Sequence, residues 1–185
     1  MEVGLVAEQD GWCPMTVAMI WAQDVNGVLG NGREMLWHVP GDFKHFKAAT
    51  LGHPVIMGRG SWEALGGKPL PGRLNVVITG QEGYEAEGAE VAHSLGQAVA
   101  VARTSAELVW IVGGARVYAE AMGIADELVV TDLDLEVAPA PDLVYAPTID
   151  AETWQADPER SDAQWRTQSG DARWKVTTYV RRRAA

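Results

Sequence analysis

The sequence predicts an α/β fold: a single domain with a central, mostly parallel sheet, an antiparallel carboxyl-terminal strand and helices on both faces. Three observations predict it. Short apolar runs rich in β-branched residues recur along the chain, with helix-forming segments between them. Those runs are almost continuously apolar, the pattern of strands covered on both sides. The 185 residues, 47% hydrophobic and 22% charged, suffice for one substantial core, and no repeat or linker divides them.

Strands are predicted at 16–22, 54–57, 75–79, 108–112 and 128–131, and a late antiparallel strand, at or near an edge, at 174–180. Between them, helices are predicted over 41–50, where Pro40 suits a first helical turn, from Ser61, from Ser94 and from about Ala115. Ser94 with Gln97 makes a capping box ahead of an alanine-rich turn. Ala138-Pro139-Ala140-Pro141 reads as a loop before the last strands, and Arg181-Arg182-Arg183 as a solvated tail. Residues 1–15 precede the first strand as an amino-terminal extension to a domain spanning 16–185.

The formal charge of -10 argues against nucleic acid or an anionic membrane as partner, since both are bound chiefly by Lys and Arg on phosphate. No run is long enough for a membrane span, and residues 1–15 carry Glu2, Glu8 and Asp10 without the basic start of a signal peptide. Cys13 is the only cysteine, so no internal disulfide forms and a reducing cytoplasm is expected. His38, His45, His53 and His93 lack metal-ligand spacing, and no metal is expected. His45 reads as a surface or satisfied histidine.

Asp42 is the residue that most needs explaining. In the predicted helix it shares a face with Phe46 and Ala49, and a carboxylate there is costly unless something fixed hydrogen-bonds to it. A ligand with paired N–H donors would meet that need; an Asp in the first turn, facing water and favoured by the helix dipole, is the alternative. Ligands of open α/β sheets bind beyond the carboxyl ends of the strands. There the fourth predicted run leads into Gly113-Gly114-Ala115-Arg116-Val117-Tyr118, and the second into Gly58-Arg59-Gly60-Ser61-Trp62, read as a Ser-capped helix start. Two such junctions suit one extended phosphate-bearing ligand, although a paired glycine alone also serves a tight reversal. Arg73, presented by the Leu70-Pro71-Gly72 turn, could clamp a carboxylate or face water, and Thr131 could bond a carboxylate or simply end its strand. Without a nucleophile elbow or metal site, cofactor-borne chemistry fits this inventory best.

In motif order and spacing, residues 17–180 resemble the bacterial dihydrofolate reductase family. The family's first strand and active-site loop resemble Ile20-Trp21-Ala22-Gln23 through Gly27-Val28-Leu29-Gly30 to Met35-Leu36-Trp37, and its acidic residue, five positions past the tryptophan, falls on Asp42. Pro54-Val55-Ile56-Met57-Gly58-Arg59-Gly60-Ser61-Trp62-Glu63, Leu70-Pro71-Gly72-Arg73-Leu74-Asn75 and the paired-glycine segment match its later motifs. The resemblance implies a dihydrofolate reductase-like fold and NADPH-dependent reduction of 7,8-dihydrofolate for one-carbon metabolism, by hydride transfer to C6 with protonation of N5.

It further implies Asp42, Trp37 and Thr131 as catalytic residues, with Asp42 gripping the pterin and a water delivering the proton. The substrate site would comprise Ile20, Ala22, Asp42, Phe46, Lys47, Leu65, Leu70, Arg73, Val112, Tyr118 and Thr131, with Arg73 on the glutamate α-carboxylate. The NADPH site would comprise Ala22, Val28, Leu29, Gly30, Asn31, Gly32, Arg33, Glu34, Arg59, Gly60, Ser61, Thr79, Gly80, Gly113, Gly114, Ala115, Arg116, Val117 and Tyr118, with Arg59 on the 2′-phosphate. Antifolates would bind the same pocket, and a monomer is expected. An uncompensated Asp42 in an apolar pocket should have a raised pKa, so hydride transfer should slow as pH rises.

Three positions depart from the family pattern: Leu36 replaces a common proline, Ala115 a third glycine, and Gly80 a polar or basic residue. The competing readings are a related reductase of a ribosylated pyrimidine and a folate-binding protein without turnover.

Overall fold

A computed structural model describes residues 15–182. Cys13, Arg183 and all of the predicted extension except Met15 lie outside the described residues. In chain order the elements are β1 (Thr16–Gln23), β2 (Val28–Gly30), α1 (Pro40–Thr50), β3 (Val55–Gly58), α2 (Arg59–Ala64), β4 (Asn75–Ile78), β5 (Glu90–Ala92), α3 (Leu95–Ala102), β6 (Leu108–Ile111), α4 (Ala115–Ala121), β7 (Glu127–Leu133), β8 (Val144–Tyr145), β9 (Trp154–Ala156), a 3-10 turn (Pro158–Arg160), β10 (Arg166–Ser169) and β11 (Ala172–Arg181). The main sheet has nine strands in the order β10-β11-β7-β1-β6-β3-β4-β5, with β9 also pairing with β11. From β7 to β5 neighbours run parallel; β11 is antiparallel to β7, β9 and β10. A separate ribbon, β2 with β8, stands beside it.

The period of two in a strand divides the core into two layers. From β1, Val17, Met19 and Trp21 face one way and pack with α3 and α4 through Ala98, Tyr118 and Ala121. Ala18, Ile20 and Ala22 face the other way, with Phe46 and Ala49 of α1 and Trp62 of α2. Continuous apolar runs were the right signal because both faces are covered. Ser94 caps α3 as predicted, its Oγ accepting from Gln97 N at 3.1 Å, while Gln97 Oε1 accepts from His93 N at 2.7 Å.

Several expectations need correction. α2 begins at Arg59, and its cap is Gly58 with no side-chain hydrogen bond, so Ser61 lies inside the helix and does not cap it. β11 lies next to the edge as expected, with β10 outside its first half and β9 outside its last residues. Arg181 does not lie in a solvated tail, whereas Arg182 is exposed. Arg181 still pairs across to Trp154, which brings its guanidinium to Ala125 O at 2.9 Å and Met122 O at 2.7 Å, the carbonyls just past α4. Arg182 is held by Ala151 O and Gln155 Oε1. β2, β5, β8, β9 and β10 were not foreseen; each has four residues or fewer and takes its conformation from its partner.

Candidate active site

Asp42 lies in the first turn of α1 with a relative exposure of 6%, against the sheet face of Ile20 and Ala22. It does not face water. Ala22 on β1 is the register partner of Thr131 on β7, whose own exposure is 1%. The Thr131 hydroxyl donates to Asp42 Oδ1 at 2.7 Å. Desolvation pushes the Asp42 carboxyl above its usual range, opposed by the Thr131 hydrogen bond and then by His45 and Arg166. Trp37, three residues before α1, is buried, and its indole Nε1 has no hydrogen-bond partner. Half-buried Phe46, one turn after Asp42, and Val112, just past β6, complete the walls.

The start of α1 is held by the β10–β11 hairpin. His38 N donates to Asp171 Oδ2 at 2.7 Å, Asp171 N to His38 O at 3.0 Å, and Gly41 N to Ser169 Oγ at 2.8 Å. Gly41 lies so close to the Trp174 indole that a Cβ would stand 2.9 Å from it. That packing fixes where the helix presents Asp42.

At the carboxyl ends of the strands the two glycine junctions meet. Gly58 N donates to Gly113 O at 2.8 Å, joining the β3–α2 turn to the β6–α4 turn. A Cβ on Gly113 or Gly114 would stand 3.0 or 3.1 Å from Ser61 Oγ, and Gly113 holds a φ of +136°. Side chains are excluded and the backbone is bare. Neither α2 nor α4 carries a side-chain cap, so the first-turn N–H groups remain donors for an outside acceptor. Beside them the Arg59 guanidinium bonds Gln81 Oε1 at 2.7 Å and Glu63 at 3.5 Å, and Thr79 Oγ1 accepts from Gln81 N at 3.1 Å. Gly60 and Gly80 have open space where a Cβ would be.

The family model for dihydrofolate reductase matches residues 16–181. The chain belongs to the dihydrofolate reductase family. Among its relatives, the dihydrofolate reductase of Neisseria meningitidis is 43% identical over 167 residues, covering 90% of this chain and 99% of that protein. That of Mycobacterium tuberculosis is 39% identical, covering 89% and 98%. Among solved structures, Enterococcus faecalis dihydrofolate reductase, complexed with NADP(H) and RAB-propyl, superposes with a TM-score of 0.81 at 30% identity, covering 91% of this chain and 97% of that one.

For a member of the dihydrofolate reductase family, the donors fit a phosphate-bearing dinucleotide. Arg59 and the uncapped first turns offer N–H groups, and the paired glycines leave the groove free of side chains. Ala115 and Arg116 open α4, with Arg116 exposed; Val117 is buried and fits against Gly58. Tyr118 is buried, donates to Ile20 O at 2.6 Å, and is pushed up by desolvation, so it is a fixed neutral donor behind the pocket wall. Among the described residues, no cluster of three or more His, Cys, Asp or Glu is placed to hold a metal ion.

The loop over this face is rooted by a residue that sequence reasoning passed over. Buried Asp24 accepts from Asn26 N and Val28 N through Oδ1, each at 2.8 Å, and from Val137 N through Oδ2 at 2.9 Å. Leu29 is half-buried and Gly30 buried in β2; beyond them Asn31 Oδ1 closes a turn onto Arg33 N and Glu34 N, with Gly32 at its tip. The Asp-x-Asn-Gly pattern at 24–27 was the available signal.

Near the mouth, Arg73 Nη1 bonds Thr50 Oγ1 at 2.9 Å and its Nε bonds Pro71 O at 3.0 Å, fixing the guanidinium against the end of α1. The Asn75 side chain bonds Leu70 N and O, making that turn rigid. Leu65 and Lys47 are exposed, on the end of α2 and on α1. His45 departs from expectation: it is half-buried, with its Nε2 shut from solvent and unpartnered. Trp174 of β11 covers it, with ring centroids 6.1 Å apart.

Proposed function

We propose that this chain reduces 7,8-dihydrofolate to 5,6,7,8-tetrahydrofolate with NADPH, and that Asp42 is the residue on which the reaction turns. The observation that carries this reading is the buried Asp42 carboxylate, held on one oxygen by Thr131, with lone pairs left for a ligand that brings its own N–H donors. The 2-amino group and ring N–H of a pterin are such donors.

NADPH, when bound, supplies the hydride that reaches C6 of the pterin. The protein's part is to bind, orient and exclude water. Asp42 and Thr131 hold the pyrimidine edge of the pterin, with Ile20, Ala22, Phe46 and Val112 packing around the ring. Arg73, with Lys47 at the rim and Leu65 and Leu70 between, receives the negatively charged glutamate tail. Arg59 and Thr79 would recognise the 2′-phosphate, and the backbone N–H groups at the Gly113-Gly114 turn would hold the pyrophosphate. Asp42 polarises the ring while a water delivers the proton to N5, because a carboxylate gripping the pyrimidine side is remote from N5. Residues 23–38, rooted at Asp24 and clamped at His38, cover the reacting ring. Antifolates that copy the pterin's donors compete for the same grip, and the chain acts as a cytoplasmic monomer. None of the described helices is long and apolar enough to cross a membrane.

The test is loss of NADPH absorbance with 7,8-dihydrofolate for the native chain and for Asp42→Asn. Substrate-dependent turnover that falls by about 10²–10³-fold in the variant, the range for removing one preorganised electrostatic partner, supports the reading. Binding of NADPH and folate without turnover in either protein points to a binding protein, and NADPH binding without folate to a reductase of another substrate.

A further inference from the structure

Every N–H of a guanidinium is a donor, and those without an internal acceptor show where an outside one belongs. Arg59, Arg160, Arg166 and Arg173 each pair with a carboxylate. Arg73 is half-buried and is held by uncharged oxygens instead: its Nε donates to Pro71 O at 3.0 Å and its Nη1 to Thr50 Oγ1 at 2.9 Å. Burial with no charged neighbour pulls it below its usual range, so its charge stands uncompensated. Pro71 closes the fork made by Nε and Nη2. A planar carboxylate can then be met by paired, parallel bonds only along the outer edge, from Nη1 and Nη2.

Thr50 is the last residue of α1 and is fully buried. Its hydroxyl donates to Phe46 O at 2.9 Å, one turn back, so its proton is committed to the helix and only a lone pair is left for Arg73. The turn that carries Arg73 docks on the same helix end: Gly52 N donates to Gly72 O at 3.0 Å, and a Cβ on Gly72 would stand 2.9 Å from Leu51 Cδ1. The Asn75 amide donates to Arg73 O at 2.9 Å. Those contacts fix the backbone of Arg73, while the Thr50 hydroxyl fixes the far end of its side chain. We propose that Thr50 is a positioning residue for the substrate's tail, its hydroxyl holding the Arg73 guanidinium with the Nη1–Nη2 edge turned to the α-carboxylate of the glutamate. The inference rests on the reductase reading given above, in which Arg73 receives that tail. Thr50 does not itself touch the carboxylate, having neither a free donor nor exposed surface. Its effect passes through Arg73.

The experiment measures KM and kcat for dihydrofolate and for a 7,8-dihydropterin without the glutamate tail, in the native chain and in Thr50→Val, Thr50→Ser and Arg73→Leu. Thr50→Val keeps the shape and removes the acceptor. Its KM for dihydrofolate is expected to rise about tenfold, the weight of one hydrogen bond to a charged group, with kcat and both constants for the tail-less pterin within about twofold of native. Thr50→Ser keeps the hydroxyl and should restore KM, and adding Thr50→Val to Arg73→Leu should cost nothing more. A native KM in Thr50→Val, an equal loss on the tail-less pterin, a Thr50→Ser protein no better than Thr50→Val, or a loss that adds to that of Arg73→Leu overturns the proposal. If the native chain reduces neither substrate, the proposed function fails, and the dissociation constants of folate and of 6-methylpterin for the same variants decide the role of Thr50. A native chain that binds neither overturns both readings.

Discussion

Thr131 Oγ1 donates a 2.7 Å hydrogen bond to Asp42 Oδ1, joining β7 to α1 between residues 89 positions apart. A neutral hydroxyl on a buried carboxylate contributes about 1.5–3 kcal/mol. It also favours the charged form of Asp42 against the larger effect of burial and leaves the second oxygen to the ligand.

Thr131→Val keeps the shape and removes the donor. Because that hydrogen bond lowers the Asp42 pKa against the larger effect of burial, the variant's carboxyl should titrate higher. We expect single-turnover hydride transfer to slow by about tenfold, equivalent to ~1.4 kcal/mol, with its pH midpoint displaced upward. A rate that is independent of pH in the native chain from neutral to alkaline conditions would count against Asp42 as the titrating group.

Asp42→Asn should lose activity and gain stability. The folded-state pKa of Asp42 lies above its unfolded value, so the native state binds that proton more tightly than the unfolded chain does. Its contribution is therefore greatest at low pH and is lost as pH rises through the folded value. In urea unfolding the variant's midpoint should exceed the native one at pH 7–8, and the gap should close towards pH 4. A variant less stable than the native chain at pH 8 would contradict this.

Arg73→Leu should act on binding. The guanidinium is held by Pro71 and by Thr50, at the opposite end of α1 from Asp42, so its loss should remove an interaction made equally before and during hydride transfer. We expect KM for dihydrofolate to rise about 10- to 100-fold, the weight of a charge-assisted pair, with kcat within about threefold. A pterin without the glutamate tail should not distinguish the two proteins.

Gly114→Ala should weaken NADPH binding, because the new Cβ would stand 3.1 Å from Ser61 Oγ. Overpacking of this kind costs about 1–3 kcal/mol. The paired test is Ser61→Ala in the same background, which removes the obstructing oxygen and should restore part of the affinity, read by quenching of tryptophan fluorescence. Equal weakening with and without Ser61 would mean that the groove is disturbed in another way.

The strands of the parallel core, whose residues are apolar on both faces, were legible in the chain alone, as were the starts of α1 and α3, where Pro40 and Ser94 act on their own helices. The sequence also marked Asp42, a carboxylate on the same predicted helix face as Phe46, while its burial against a water-facing alternative was decided by the fold. Those are local signals, carried by a few neighbouring residues. The other contacts form only in the folded chain. The joining of the Gly58 and Gly113 turns, the Thr131 hydroxyl on Asp42 and the clamp of Ser169 and Asp171 on the start of α1 link residues far apart in the chain. So does the burial of His45 under Trp174. The short strands β9 and β10 and the docking of Arg181 behave likewise, being satisfied only by partners that the fold supplies. Hydrophobic periodicity specifies which face of an element is buried; what that face meets depends on the order of the strands in the sheet.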